Sequence, residues 1–189
     1  NVTALGNLAL NATNSAITQT AGTVTSAGTT TASAGTGSIS LALAGNDFGT
    51  FAATGNAVTV RDANGLALGP IAATTLTVDT SAGNGAVTQS GASVVAGTTT
   101  ITAGSGAVTL SNAGNNFSTV SVSGGAVAIT DLNALALDAI NATSLAVDTS
   151  AGNGPVTQNA AAAVSGATAV NAGSGAVALT NAGNNFGSV

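Results

Sequence analysis

The 189-residue sequence contains no Cys, His, Lys, Glu, Trp, Tyr or Met. Without cysteine no disulfide can hold the fold, and the redox state of its compartment leaves no trace in the sequence. The usual general bases, nucleophile partners and soft metal ligands are missing apart from aspartate, so the many Ser and Thr hydroxyls have little to activate them. We therefore expect a protein that is not an enzyme, with no catalytic, cofactor-binding or metal-binding residues.

Charge is also scarce. The formal net charge of −5 comes from one arginine and six aspartates: Arg61, Asp47, Asp62, Asp79, Asp131, Asp138 and Asp148. Phosphate backbones are neutralised by many Lys and Arg residues, so a nucleic-acid partner is excluded. The aspartates are spread along the chain and lack the GGxGxD pattern of calcium-binding β-rolls, so we expect them to cap turns. Arg61 is expected at a solvated edge.

Aromatic residues and long apolar runs are rare as well. There are four Phe, and the longest conspicuous apolar run covers residues 160–164, far too few to span a bilayer. The 26 Gly and the mainly Ala, Val and Leu apolar content cannot build a thick globular core. The composition favours a thin aliphatic core that is repeated many times.

What the sequence does contain is a repeat. NAGNNF occupies residues 112–117 and 181–186, and LAGNDF occupies residues 43–48. The phenylalanines Phe48, Phe117 and Phe186 are evenly spaced, since 117 − 48 and 186 − 117 both equal 69. VDTSAGNG recurs at the same spacing, at residues 78–85 and 147–154. We expect a single solenoid segment over residues 1–189, with repeats 48–116 and 117–185 and a partial, less regular repeat 1–47.

Short apolar alternations predict the strands of this solenoid. Triplets such as Val58-Thr59-Val60 and Leu76-Thr77-Val78 place their large residues on one face, and Gly, Asn, Ser and Asp clusters separate them. The helix-like run at residues 159–164 is interpreted as a strand variant. Nine short strands per 69-residue repeat divide simply into three coils of about 23 residues with three strands each. The predicted fold is an all-β, right-handed parallel β-helix with about three coils per 69-residue repeat.

The repeated asparagines allow two interpretations. Asn46, Asn115 and Asn184 recur three coils apart, about 14 Å at a coil spacing of about 4.8 Å, so they cannot form a ladder. We expect each to form a turn through local backbone bonds while the following Phe enters the core. The alternative is an exposed asparagine surface that binds a ligand.

The phrases VTLSNAGNNF, ITDLNALAL and GAVTQSGASVVAGTTTITAGSGAV resemble the repeats of very large bacterial exoproteins of the filamentous-haemagglutinin type. The resemblance covers nearly the whole chain. It implies a right-handed parallel β-helix shaft, exposed at the bacterial cell surface or released, that serves adhesion or forms filaments. Its partners are then further coils of the same polypeptide, neighbouring copies end to end, or a host or cell-surface receptor.

A second function class remains open, namely an ice-binding or glycan-binding solenoid. Threonine triplets occupy residues 29–31 and 98–100, but the third copy reads Ala-Thr-Ala at residues 167–169, which predicts a broken Thr array. Four N-glycosylation sequons begin at Asn1, Asn11, Asn116 and Asn141.

Overall fold

The structure, a computed structural model, describes all 189 residues and is almost entirely β. The strands are β1 Val2–Ala4, β2 Leu8–Asn11, β3 Ile17–Thr18, β4 Val24–Ser33, β5 Ile39–Leu41, β6 Asp47–Arg61, β7 Leu66–Asp79, β8 Val87–Gln89, β9 Ser93–Thr102, β10 Val108–Leu110, β11 Asn116–Ser123, β12 Ala126–Thr130, β13 Leu135–Ala142, β14 Ser144–Asp148, β15 Val156–Gln158, β16 Ala162–Asn171 and β17 Asn185–Ser188. One 3-10 turn, Ser81–Gly83, is the sole helical element.

Every strand pair is parallel and joins one coil to the next. The offset between paired residues varies from 17, for Thr50 and Ala67, to 23, for Leu76 and Thr99. The chain therefore winds into a β-solenoid of about nine coils. At about 4.8 Å per coil the solenoid is about 43 Å long. The predicted all-β parallel solenoid is confirmed, whereas the predicted even coil length is wrong.

The predicted triplets all lie in strands, with the expected alternation. In β6, Val58 and Val60 are buried and Thr59 between them is partly exposed. The division into nine short strands is too fine, because β6 and β7 run for 15 and 14 residues and pair with successive neighbours. The run at residues 159–164 enters strand β16 at Ala162, after a short bend.

One continuous core runs the length of the solenoid and contains 36 buried apolar residues. Phe48 and Phe117 are 1 % and 0 % exposed, as predicted for the repeated phenylalanines, while Phe186 is partly buried against the same core. Phe51 packs on Phe48 with ring centroids 5.5 Å apart and ring planes tilted by 48°. Because each coil is only a few side chains wide, stability depends on stacking against the neighbouring coils.

The 69-residue sequence repeat does not correspond to a whole number of coils. Three coils lead from Val58 through Leu76 and Thr99 to Val120, and this path is shorter than the 69-residue repeat. Each repeat is therefore about three coils plus one further side of the solenoid. Leu76 and its counterpart Leu145 consequently lie in different ladders: Leu145 pairs with Val127. Equivalent residues of successive repeats lie on different sides and do not stack in line.

Candidate functional site

The repeated polar residues lie at two kinds of corner between strands. We define the amide corner by Gln19, Asn46 and Asp62, with a second copy formed by Gln89, Asn115 and Asp131 and a third represented by Gln158 and Asn184. We define the glycine corner by residues 79–85 and its copy by residues 148–154.

Asn115 lies at the centre of the second amide corner and is completely buried. Its Oδ1 accepts hydrogen bonds from Ser93 N at 2.9 Å and from Gln89 Nε2 at 2.8 Å. Its Nδ2 donates to the carbonyl oxygens of Leu110 and Thr130, each at 3.1 Å. The side chain thus supplies partners for backbone groups that the corner removes from the ladders.

The glutamine in each copy closes a reciprocal amide pair with the asparagine. Asn115 Nδ2 donates to Gln89 Oε1 at 2.9 Å, and Asn184 and Gln158 repeat the exchange at 2.9 and 2.6 Å. The paired residues are distant in sequence but lie on adjacent coils. Sequence reasoning missed these glutamines, although Gln89 and Gln158 recur at the 69-residue spacing and Gln19 is displaced from it by a single position.

The asparagine prediction is thus partly confirmed. Turns do form: Asn112 Oδ1 accepts from Gly114 N at 2.9 Å, and Asn181 does the same for Gly183. However, Asn46 and Asn115 are 0 % exposed, and their side chains also bond to backbone of the preceding coil. Asn46 and Asn115 therefore do not contribute to an exposed ligand-binding surface.

An aspartate of the following coil completes each of the first two amide corners. Asp131 Oδ2 accepts from Phe117 N at 2.6 Å and its Oδ1 accepts from Asn133 N at 2.9 Å. Asp62 makes the same two bonds to Phe48 N and Asn64 N. Both aspartates are fully buried, and this burial raises the pKa of each carboxyl although the two N–H donors act in the opposite direction.

The aspartate of each glycine corner lies at or near the protein surface. Asp148 Oδ1 accepts from the hydroxyl and backbone N of Ser150 at 2.6 and 2.9 Å, and these bonds lower the pKa of the carboxyl. Asp79 repeats both bonds with Ser81. Its partial burial raises the pKa, but the Ser81 donors and the nearby Arg61 charge outweigh burial and lower the pKa overall. The prediction that the aspartates cap turns is confirmed for Asp62, Asp79, Asp131 and Asp148.

Close backbone contact leaves no room for a side chain at the last glycine of VDTSAGNG in either copy. A Cβ on Gly85 or Gly154 would lie 1.8 or 1.9 Å from the carbonyl oxygen of Asn64 or Asn133 in the preceding coil. Asn84 and Asn153 adopt positive φ angles of 52° and 53°, which asparagine tolerates. Their Oδ1 atoms accept from Ser105 N and Ser174 N of the following coil, each at 2.9 Å. This corner is therefore a joint between coils.

Arg61 is not simply a solvated edge residue. Its Nε lies 3.2 Å from Asp79 Oδ2 on the paired strand, although the approach lacks hydrogen-bond alignment. Both side chains are about one third exposed, at 34 % and 32 %. An ion pair at this exposure contributes little, about 0–1 kcal/mol.

The described residues contain no group of three or more His, Cys, Asp or Glu able to hold a metal ion. The equivalent aspartates lie on different sides of the solenoid, so the structure does not bring them together.

A shallow polar recess occurs twice with the 69-residue spacing, at Gly35, Thr36, Gly55, Asn56 and Thr74 and at Gly104, Ser105, Gly124, Gly125 and Thr143. The four sequon asparagines are all exposed. No helix of the chain has the length and apolar character needed to cross a membrane.

Comparison with known families places the whole chain in one of them. Repeats of unknown function (DUF5649) match residues 1–54, 55–123 and 124–189, with the same 69-residue period and a different starting phase. No curated protein and no solved structure shows a significant match. The chain therefore belongs to the family of DUF5649 repeats.

Proposed function

We propose that this chain is a shaft segment of a secreted or cell-surface bacterial adhesin or extracellular filament, and that it carries out no catalysis. The observation that supports a shaft is the unbroken stack of about nine coils on one continuous core. The resemblance to filamentous-haemagglutinin-type repeats supports the extracellular bacterial location.

The direction of the hydrogen bonds suits a shaft. In a solenoid of parallel coils the ladder bonds run along the long axis, and the chain has 114 backbone hydrogen bonds, 77 of them within strands. Tension along the axis is therefore shared by all the ladders that join two coils. The amide and glycine corners add side-chain bonds between the same coils, which stiffens the places where the ladders are interrupted.

The proposed partners are further coils of the same polypeptide or neighbouring copies joined end to end, with no nucleic acid or membrane span involved. β1 pairs only with β4, and β17 pairs only with β16, so one edge of each strand offers free backbone groups. Sedimentation velocity over a concentration series tests the pairing of copies. Growth of rod-shaped oligomers supports it, and a monomer at all concentrations contradicts it.

The location is tested by antibodies raised against the 189-residue chain. They are applied to intact and to permeabilised cells of the source organism, with a cytosolic protein as the matched control. We expect labelling of intact cells or recovery of the protein from the medium. A signal that appears only after permeabilisation contradicts the adhesin and filament proposals. Deletion of the gene should then reduce surface attachment or remove visible filaments.

A further inference from the structure

One side of the solenoid carries an ordered array of hydroxyl groups that no role in a shaft requires. We define this hydroxyl face by two columns of outward side chains. The first column contains Thr18, Ser40, Thr59, Thr77, Thr100 and Ser121, each paired in register with the next. The second column contains Thr75, Thr98 and Thr119, two positions earlier on three successive coils.

The array is regular across β9 and β11, whereas β7 and β9 shift register between Ala73 and Leu76, in the segment that contains Thr75. The neighbouring strands β9 and β11 pair without a register shift from Thr98 with Thr119 to Thr102 with Ser123. The residues between the two columns, Leu76, Thr99 and Val120, are buried and hold the face against the core. Strand geometry then sets a grid of about 4.8 Å between coils and about 6.6 Å along each strand.

The hydroxyls are also free for an external partner. Among the nine side chains only Ser121 makes a hydrogen bond within the protein, to the carbonyl oxygen of Ala139 at 3.1 Å. All nine are exposed or partly exposed. The remaining eight hydroxyls must therefore satisfy their donors and acceptors outside the protein.

The lack of charge on the hydroxyl face limits the chemical class of its partner. The hydroxyl face contains no ionisable side chain: Arg61 and Asp79 lie at its edge and pair with each other, and Asp47 lies at the far end of β6. An ionic ligand would find no opposite charge there. A glycan is also disfavoured as the partner. Proteins stack exposed aromatic rings on sugars, whereas Phe48, Phe51 and Phe117 are buried.

We propose that the hydroxyl face binds the surface of ice. A neutral grid of hydroxyls and methyls on a rigid sheet can hold a layer of ordered water, because each hydroxyl both donates and accepts hydrogen bonds. The spacing between coils is close to the shortest lattice repeat of ice. The prediction of a broken Thr array compared the wrong positions: the threonines that assemble come from adjacent coils, not from successive copies of the repeat.

The test is thermal hysteresis and inhibition of ice recrystallisation by the 189-residue chain, compared with two lysine variants. Thr77→Lys places a long charged side chain in the middle of the hydroxyl face and should abolish most of the activity. Thr88→Lys is the matched control, because Thr88 is also exposed on a strand but pairs with Ala67 on another side. Circular dichroism and urea midpoints establish that both variants fold.

Thr77→Val separates hydroxyl chemistry from shape and should reduce activity less than Thr77→Lys. Absence of hysteresis and of recrystallisation inhibition in the unmodified chain overturns the proposal, as does equal loss in Thr77→Lys and Thr88→Lys. Binding to insoluble crystalline polysaccharide without any ice activity assigns the face to a carbohydrate instead, and also overturns it.

Discussion

The amide corner and the glycine corner bend the same coils by different means. At the amide corner the side chains of Gln89, Asn115 and Asp131 replace backbone bonds inside the protein, where water has no access. At the glycine corner the backbone itself packs against the previous coil, and Asp148 caps the turn from the solvent side.

The two aspartates show what this difference does to one chemical group. Asp131 and Asp148 each accept two hydrogen bonds of similar length, yet the pKa of the first is raised by burial and that of the second is lowered by the Ser150 donors. Exposure to water therefore decides the sign of the shift. Substitutions at the amide corner should cost more than substitutions at the glycine corner unless they force a backbone clash.

Asn115→Ala should have the largest effect, lowering the free energy of unfolding by about 4 kcal/mol. The substitution leaves Ser93 N, the carbonyls of Leu110 and Thr130 and the Gln89 amide without their partner, and each buried polar group left unpaired costs about 1–3 kcal/mol. Urea denaturation followed by circular dichroism measures the loss.

The neighbouring Asn116→Ala is the control for Asn115→Ala. Asn116 is exposed and its side chain makes no hydrogen bond within the protein, so its replacement should change stability by at most about 0.5 kcal/mol. Equal losses in the two variants would mean that the buried amide is not what supports this corner.

Gly154→Ala should come next, with a loss of about 2–3 kcal/mol, a typical cost of forcing extra atoms into a packed site. The added Cβ would lie 1.9 Å from the carbonyl oxygen of Asn133, so the two coils must separate locally. Gly6→Ala is the control, because its Cβ would meet nothing within 4 Å. Thermal denaturation compares them, and an unchanged midpoint for Gly154→Ala would show that the coils can move apart freely.

Much of this architecture could be predicted from the sequence because it is local. Apolar and polar residues alternate in the triplet Val58, Thr59 and Val60, which predicts a strand with one buried face. The small residues of VDTSAGNG indicate a turn. The predictions that failed concern contacts between residues of neighbouring coils. The offset between coils changes along the solenoid, so the sequence repeat is a poor guide to neighbours in space.

Two examples show this limit. Gln89 and Asn115 are far apart in sequence, and only the winding of the coil makes them partners. Thr77 and Thr100 belong to different parts of the repeat, and only their register places them side by side. The offset between coils differs from one strand pair to the next, and no single segment of the sequence encodes it.

Asp131→Asn should lower stability at neutral pH by about 1–2 kcal/mol, because one accepting oxygen becomes an amide donor facing a backbone N–H. Since burial raises its pKa above 3.8, the stability that Asp131 contributes by titration is fully present below pH 3.8 and is lost as the pH rises through the folded-state pKa. The advantage of the unmodified protein over the variant should therefore shrink with rising pH. Urea midpoints between about pH 3 and 7 measure it, and an advantage that grows with pH contradicts the raised pKa.

Asp148→Asn should have the smallest effect and the opposite pH dependence. The Ser150 hydroxyl and N–H lower the pKa of Asp148, so its contribution is present above pH 3.8 and is lost as the pH falls through the folded-state pKa. The advantage of the unmodified protein over this variant should thus grow from acid to neutral pH in the same urea series. Ser150→Ala removes one of the two donors and should flatten the profile. If Asp148→Asn and Asp131→Asn gave profiles of the same slope, solvent exposure would not be what distinguishes the two corners.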